Sequence, residues 1–167
     1  SFGTGTHDTT QLCITALEET IKGGEKLLDM GTGSGILAIA AGMLGAIPDT
    51  IVDIDEHCLT CAAENAERNN VILGRKLHGD ALKNPALAED GKDYDIIVAN
   101  IVADVIIGMS NMFWDKLKDN GTLICSGILN ERADEVENAL VKTGFDILKR
   151  QASDDWTAFT AKKCLGV

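Results

Sequence analysis

The chain has 167 residues, 45% apolar and 25% charged, with fifteen basic against twenty-six acidic side chains and a net charge of -11. That is about one domain, able to bury roughly 70% of the surface its unfolded chain exposes without staples. The acidic excess opposes the phosphate contacts of nucleic-acid binding and favours a basic protein or a cationic small molecule as partner, while no apolar run nears the ~18 residues of a membrane span.

No secretory leader pattern opens the chain, so a cytoplasmic protein working away from membranes is expected. The five cysteines, Cys13, Cys58, Cys61, Cys125 and Cys164, are odd in number and scattered through apolar segments, which suits reduced core thiols better than disulfides. The first ten residues, "SFGTGTHDTT", begin on a serine and read as a glycine-threonine loop at the start of a domain cut from a longer protein.

The first strand is expected at Lys26–Met30, followed by Gly31-Thr32-Gly33-Ser34-Gly35 and a small-residue helix over Ile36–Leu44. Strand, glycine turn and helix form the arrangement in which backbone N–H groups face a nucleotide-like ligand. Ile36 stands where the dinucleotide fingerprint needs a small residue, and the lysine of a phosphate-binding loop is absent. A nucleophile elbow fails as well, because Thr32 and Ile36 flank Ser34 where glycines are required. Asp29, two residues ahead of the first glycine, would repel a pyrophosphate and suits a ligand carrying an ammonium or sulfonium.

A second strand is expected at Thr50–Ile54 and an amphipathic helix at Glu56–Arg68. Asp53 lies about 20 residues past the glycines, where folds of this kind grip the hydroxyls of a ribose, with Asp55 the weaker candidate. The alternative is that both aspartates only cap the helix. An aspartyl-phosphate hydrolase pair is disfavoured by His57 in place of threonine or valine. Cys58 and Cys61 have metal or redox spacing, yet no second pair accompanies them, so buried thiols and no metal are expected.

A third strand at Arg75–His78 leads to Asp80, either a further ligand contact or a turn aspartate after Gly79. "NPALAEDGKD", residues 84–93, reads as a polar surface excursion before a fourth strand at Tyr94–Ala99. Asn100 closes that strand ahead of a helix over Val102–Leu117, which it could simply cap. Thr122–Ser126 reads as a fifth strand and Glu131–Lys142 as a helix with Gly144 as its C-cap. Strands at Phe145–Arg150 and Thr157–Ala161 are too close for a helix between them, so an antiparallel hairpin ends the sheet. Trp114 and Trp156 read as core or interface residues. The pattern predicts one α/β domain over residues 1–167: a Rossmann-like, mostly parallel seven-stranded sheet with helices on both faces.

The motifs "FGTGTHDTTQLC", "LLDMGTGSGILAIAA", "ENAERN", "DIIVANI" and "LICSGIL", with a final W-x-A strand, occur in an order that resembles the class I S-adenosylmethionine-dependent methyltransferases. Within that class the chain resembles the catalytic domain of the family acting on large-subunit ribosomal protein L11 and its protein-lysine relatives. Thr32 in place of a usual cysteine, Glu56 in place of a proline and a few extra residues before Tyr94 depart from the pattern. By the resemblance, Thr10, Gly31, Asp53 and Asn100 would contact the cofactor, with Asp29, Gly33, Gly35 and Asp80 beside them and the "GTGTHDTT" loop as a lid. The implied reaction is methyl transfer from S-adenosylmethionine, leaving S-adenosylhomocysteine, to a lysine side chain or N-terminal amine of a basic ribosomal protein, with Asn100 at the amine. Ile101 and Val102 stand where the glutamine-modifying relatives carry prolines, which favours an amine over an amide. No dedicated base is required, and His7 reads as a loop-fixing residue rather than a catalytic one. The full-length family carries an N-terminal recognition domain. An isolated cofactor-binding module without turnover is therefore the alternative, followed by a methyltransferase for another protein or a small amine.

Overall fold

The computed structural model describes residues 4–83 and 93–165. Along the chain lie α1 (Thr4–Thr20), β1 (Lys26–Met30), α2 (Ile36–Met43), β2 (Ile47–Asp53), α3 (Glu56–Arg68), β3 (Arg75–His78), β4 (Tyr94–Asn100), α4 (Ala103–Lys116), β5 (Leu117–Leu129), α5 (Ala133–Thr143), β6 (Asp146–Ala152) and β7 (Trp156–Lys162). A 3₁₀ turn at Asn130–Arg132 precedes α5.

The strands form one seven-stranded sheet in the order β3-β2-β1-β4-β5-β7-β6. β3 through β5 pair in parallel, whereas β7 runs antiparallel to both β5 and β6. Every expected strand is present, and the last two make the expected hairpin. β2 starts three residues earlier than its β-branched run because Pro48, which has no N–H to donate, is taken up beside a register shift opposite Leu27 and Leu28.

Successive residues of a strand face opposite sides, and the core divides accordingly. Leu27, Ile96, Val98 and Ile124 turn toward Cys13, Leu17, Leu37 and Ala41 of α1 and α2. Leu28, Ile97, Leu123 and Cys125 turn toward Ile106, Phe113, Val136 and Leu140 of α4 and α5. Helices therefore cover both faces, as a parallel sheet requires.

The opening segment departs from expectation. The glycine-threonine stretch is helical from Thr4 onward and forms the front of α1. Buried Thr9, Cys13, Ala16 and Leu17 mark a single helical stripe, and packing that stripe against the sheet offsets the poor helix propensity of Gly5 and the threonines. The lid of the sequence reading is thus a helix end at the carboxyl edge of the sheet. The side chain of His7 lies outside the described residues, as do residues 84–92 of the polar excursion.

Gly144 ends α5 with φ 128°, the C-cap expected of it. The cysteines only partly follow expectation. Cys13 and Cys125 are buried, but Cys58 and Cys61 are half-buried because the inward stripe of α3 is Leu59, Ala62 and Ala66, which leaves them on its flanks. Among the described residues no helix is long and apolar enough to cross a membrane.

Candidate functional site

The carboxyl ends of β1, β2, β3 and β4 open into a cleft of about 410 Å³, within the size range of small-molecule sites. Its walls are apolar or glycine, with Met30, Ile54, Leu82 and Val102 prominent, except for two carboxylates, Asp53 and Asp80. Among the described residues no lysine or arginine lines it, so the field they set favours a cationic or hydroxyl-bearing ligand over a phosphate.

The glycine turn is built for close approach. The Gly31 and Thr32 N–H groups donate to the Val52 carbonyl at 2.8 and 3.0 Å, and the Gly35 N–H donates to the Thr32 carbonyl at 2.9 Å. The Gly33 N–H donates to Asp53 Oδ2 at 2.8 Å. These amides are satisfied within the chain, so they form no phosphate cradle. The glycines serve different ends. A Cβ on Gly35 would lie 2.7 Å from the Ala62 Cβ, which makes this position a packing contact with α3 rather than a ligand wall. Among the described residues nothing lies within 4 Å of such a Cβ on Gly33, at φ 55°, which leaves open space above the middle of the turn. Asn65 of "ENAERN" ties the turn down, its amide donating to the Ser34 carbonyl at 2.9 Å.

The two aspartates after β2 separate cleanly. Asp55 is the N-cap of α3, its Oδ1 accepting the His57 N–H at 2.9 Å. Asp53 does not cap. Its Oδ2 and Oδ1 accept the Gly33 and Asp55 N–H groups at 2.8 and 2.9 Å, which hold a half-buried carboxylate at the cleft wall with lone pairs to spare. Asp80 is the turn aspartate the sequence allowed, its Oδ1 accepting the Leu82 N–H at 2.9 Å, and it also lines the cleft.

Asp29 is not at an entrance. It is 1% exposed, on the α1 and α2 side of the sheet, and does not line the cleft. Its Oδ2 accepts the Thr32 hydroxyl at 2.8 Å, and its Oδ1 is buried without a hydrogen-bond partner among the described residues. Burial, only partly opposed by the Thr32 hydroxyl and the Ala38 backbone N–H and aided by the nearby Asp53 carboxylate, pushes its carboxyl up to about 7. A buried acceptor short of a partner and tied to the glycine turn through Thr32 fits a cationic group.

Asn100 ends β4, and its side-chain amide donates to the Thr9 hydroxyl of α1 at 3.2 Å. It does not cap α4, whose N-cap is Val102 without a side-chain bond. Thr10 is half-buried on the same helix front. Sequence reasoning missed Thr9, along with the apolar cleft walls Leu82 and Val102. Their signal was an apolar residue following each carboxylate or amide at a strand end, as Ile54 follows Asp53.

Residues 1–164 match the family model described as ribosomal protein L11 methyltransferase (PrmA). The chain is 44% identical over 164 residues to the ribosomal protein L11 methyltransferase of Exiguobacterium sp., covering 98% of this chain and 51% of that protein. It therefore spans about half the length of the curated relatives it matches. The crystal structure of the ribosomal protein L11 methylase from Lactobacillus delbrueckii subsp. bulgaricus superposes with a TM-score of 0.86 at 34% identity, covering 96% of this chain and 81% of that one. A magnesium protoporphyrin IX methyltransferase from Synechocystis PCC 6803, solved with bound SAM, shares the fold at a TM-score of 0.75 and 17% identity over 96% of this chain and 80% of that one.

Proposed function

Because the chain belongs to the ribosomal protein L11 methyltransferase family, we propose that the intact protein methylates an amine of that basic ribosomal protein, a lysine side chain or the N-terminal amine, and that residues 1–167 form its methyl-donor domain. The donor in this reading is S-adenosylmethionine. The observation that carries it is Asp53: a carboxylate fixed by two backbone N–H groups on the wall of a cleft that is apolar but for it and Asp80, able to accept both hydroxyls of a ribose.

When bound, S-adenosylmethionine supplies a sulfonium methyl that a neutral amine attacks in line, the carbon–sulfur bonding pair staying on sulfur as S-adenosylhomocysteine. The chain's own groups bind and orient. Ile54, Leu82 and Val102 give an apolar slot for a base, with Asp80 at its rim. Gly33 leaves room for the chain joining ribose to methionine, while Thr10 and buried Asp29 attend the amino-acid end. Gly31 and Gly35 hold the turn in shape by packing on Ile101 and Ala62.

An incoming lysine, with an ordinary pKa near 10.4, costs roughly 4–5 kcal/mol to hold neutral at pH 7. A neighbouring positive charge and partial loss of water lower that cost, so solvent can take the proton. Asn100 has no proton to exchange. Its Oδ1 accepts a hydrogen bond from the amine and so aims the lone pair, while its NH₂ is anchored on Thr9.

Calorimetric titration with S-adenosylhomocysteine tests the donor site: binding by the native chain and its loss in Asp53→Ala are expected, and equal binding by both would refute the ribose assignment. The chain's coverage of half its relatives favours a second reading, a donor-binding unit that turns over only with the rest of the protein. Labelled cofactor with the basic ribosomal protein separates the two, since methylation by the 167-residue chain alone rules out the inert unit.

A further inference from the structure

The stretch "EHCLTC" opens α3 and carries side chains that the donor site does not use. Cys58 and Cys61 stand about one turn apart on the flanks of the buried stripe Leu59, Ala62 and Ala66, each half-buried and so within reach of a small molecule. Cys13 and Cys125 are buried, and Cys164, beyond β7, is hydrogen-bonded to Asp146.

The geometry points to Cys58 and Cys61 as a redox-active dithiol, which a small disulfide such as oxidised glutathione converts to a Cys58–Cys61 bridge that loosens the hold on Asp53. The consequence for donor binding rests on the methyl-transfer reading above.

Spacing is the first argument. With a rise of about 1.5 Å per residue and a radius of about 2.3 Å, helix residues three apart have Cα atoms about 5 Å from one another, inside the disulfide window of roughly 4.4–6.8 Å. The pair lies in the first two turns of α3, where tightening toward 3₁₀ geometry brings such side chains into line.

The unlike surroundings of the two sulfurs are the second. Cys61 Sγ lies 3.6 Å from His57 Nε2, a base placed to take the thiol proton and leave the nucleophilic thiolate. At Cys58, loss of water, the Asp53 and Asp55 carboxylates and a hydrogen bond to Asp55 push the thiol up, so it stays protonated as the resolving sulfur. The Cys61 thiolate attacks one sulfur of the reagent, whose S–S bond breaks and whose other sulfur leaves as a thiolate. Cys58, losing its proton to Asp55, then attacks Cys61 Sγ and expels the second small thiolate. Two electrons pass from the pair to the reagent, and the protons held by His57 and Asp55 go to the two leaving thiolates.

The link to Asp53 is the third. The Asp55 carboxylate caps α3 and meets Cys58, while the Asp55 N–H donates to Asp53 Oδ1 at 2.9 Å. Closing the bridge removes the S–H donor and draws in the first turns of α3. One of the two N–H groups that fix Asp53 is displaced as a result.

The test treats the folded 167-residue chain, carrying Cys164→Ser, with excess oxidised glutathione and maps its peptides by mass. A Cys58–Cys61 bridge that dithiothreitol reverses is expected. Cys58→Ser should trap glutathione on Cys61, whereas Cys61→Ser should react at least tenfold more slowly, and His57→Gln should slow the native pair several-fold at pH 7. No bridge, or equal trapping in the two serine variants, overturns the dithiol. Calorimetry with S-adenosylhomocysteine then compares reduced and bridged chains. Affinity at least threefold lower in the bridged chain supports the link to Asp53, and equal affinity overturns it. No binding by either form sinks the donor reading beneath it, while the bridge, read by mass, stands.

Discussion

The donor cleft and a smaller cavity of about 130 Å³ on the other side of Val102 are built in different ways. In the larger one the polar groups are held by main chain: Asp53 between two N–H groups, Asp80 by the Leu82 N–H, and the glycine turn by the Val52 carbonyl. In the smaller one they are held by side chains, namely the Arg132 fork on Asp104 and Glu135. Backbone restraint sets a carboxylate at no rotamer cost when a ligand arrives, so the donor side is preorganised. Side-chain restraint leaves the smaller cavity adjustable.

The comparison breaks first if Asp53 is dispensable. Asp53→Ala removes an acceptor for two hydroxyls, each bond to a charged group being worth about 1.5–3 kcal/mol, so S-adenosylhomocysteine affinity should fall by roughly 10² or more. Calorimetry reads this directly, and a loss under tenfold would mean that the preorganised carboxylate is not what binds.

Next in size is the penalty stored at Asp29. Its carboxyl is raised to about 7 in the fold against an ordinary value of 3.8, so its contribution is fully present below about pH 4 and is lost as pH rises through 7. The whole window is worth on the order of 4 kcal/mol. In urea unfolding, the native ligand-free chain should therefore lose more stability between pH 5 and pH 8 than Asp29→Asn does. Bound S-adenosylhomocysteine, with its ammonium near the carboxylate, should recover part of that loss. A pH dependence identical in both chains would remove Asp29 from the account.

Asn100→Ala sharpens the contrast between binding and turnover. A misaimed amine costs about 10² in rate, while the donor cleft, which Asn100 does not line, should keep its affinity for S-adenosylhomocysteine within a few-fold. Rates measured on the intact protein and calorimetry on this chain supply the two readings, and an equal fall in both would place Asn100 in the donor site instead. The smallest effect is expected from Arg132→Ala. Its ion pairs are exposed, Asp104 at 79%, so the thermal midpoint should not move measurably, and any change should appear as a raised KM for a basic protein substrate.

The strands were legible because each is a short apolar, β-rich run between glycines and polar residues, and the hairpin followed from a linker too short for a helix. α1 was not, because Gly5 and six threonines argue locally against a helix that packing on the sheet then imposes. Asp55 as a cap and Asp53 as a wall could not be told apart in a line, since both stand at a helix start; only the direction of each carboxylate separates them. The two half-buried cysteines of α3 were misread as core for a related reason. Spacing locates residues on a helix, but which face turns inward depends on what packs there.

By itself the order of residues determined the alternation of strands and helices, the glycine turn after β1 and the acid after β2, because backbone sterics and hydrophobic periodicity are local properties. Tertiary structure alone decided that Asp29 lies buried and half-unpaired, that the N-terminal helix brings Thr9 to Asn100, and that Val102 divides two cavities. Those facts depend on how far apart in space residues distant in the chain come to rest, and desolvation and hydrogen bonding take their values only once those distances exist.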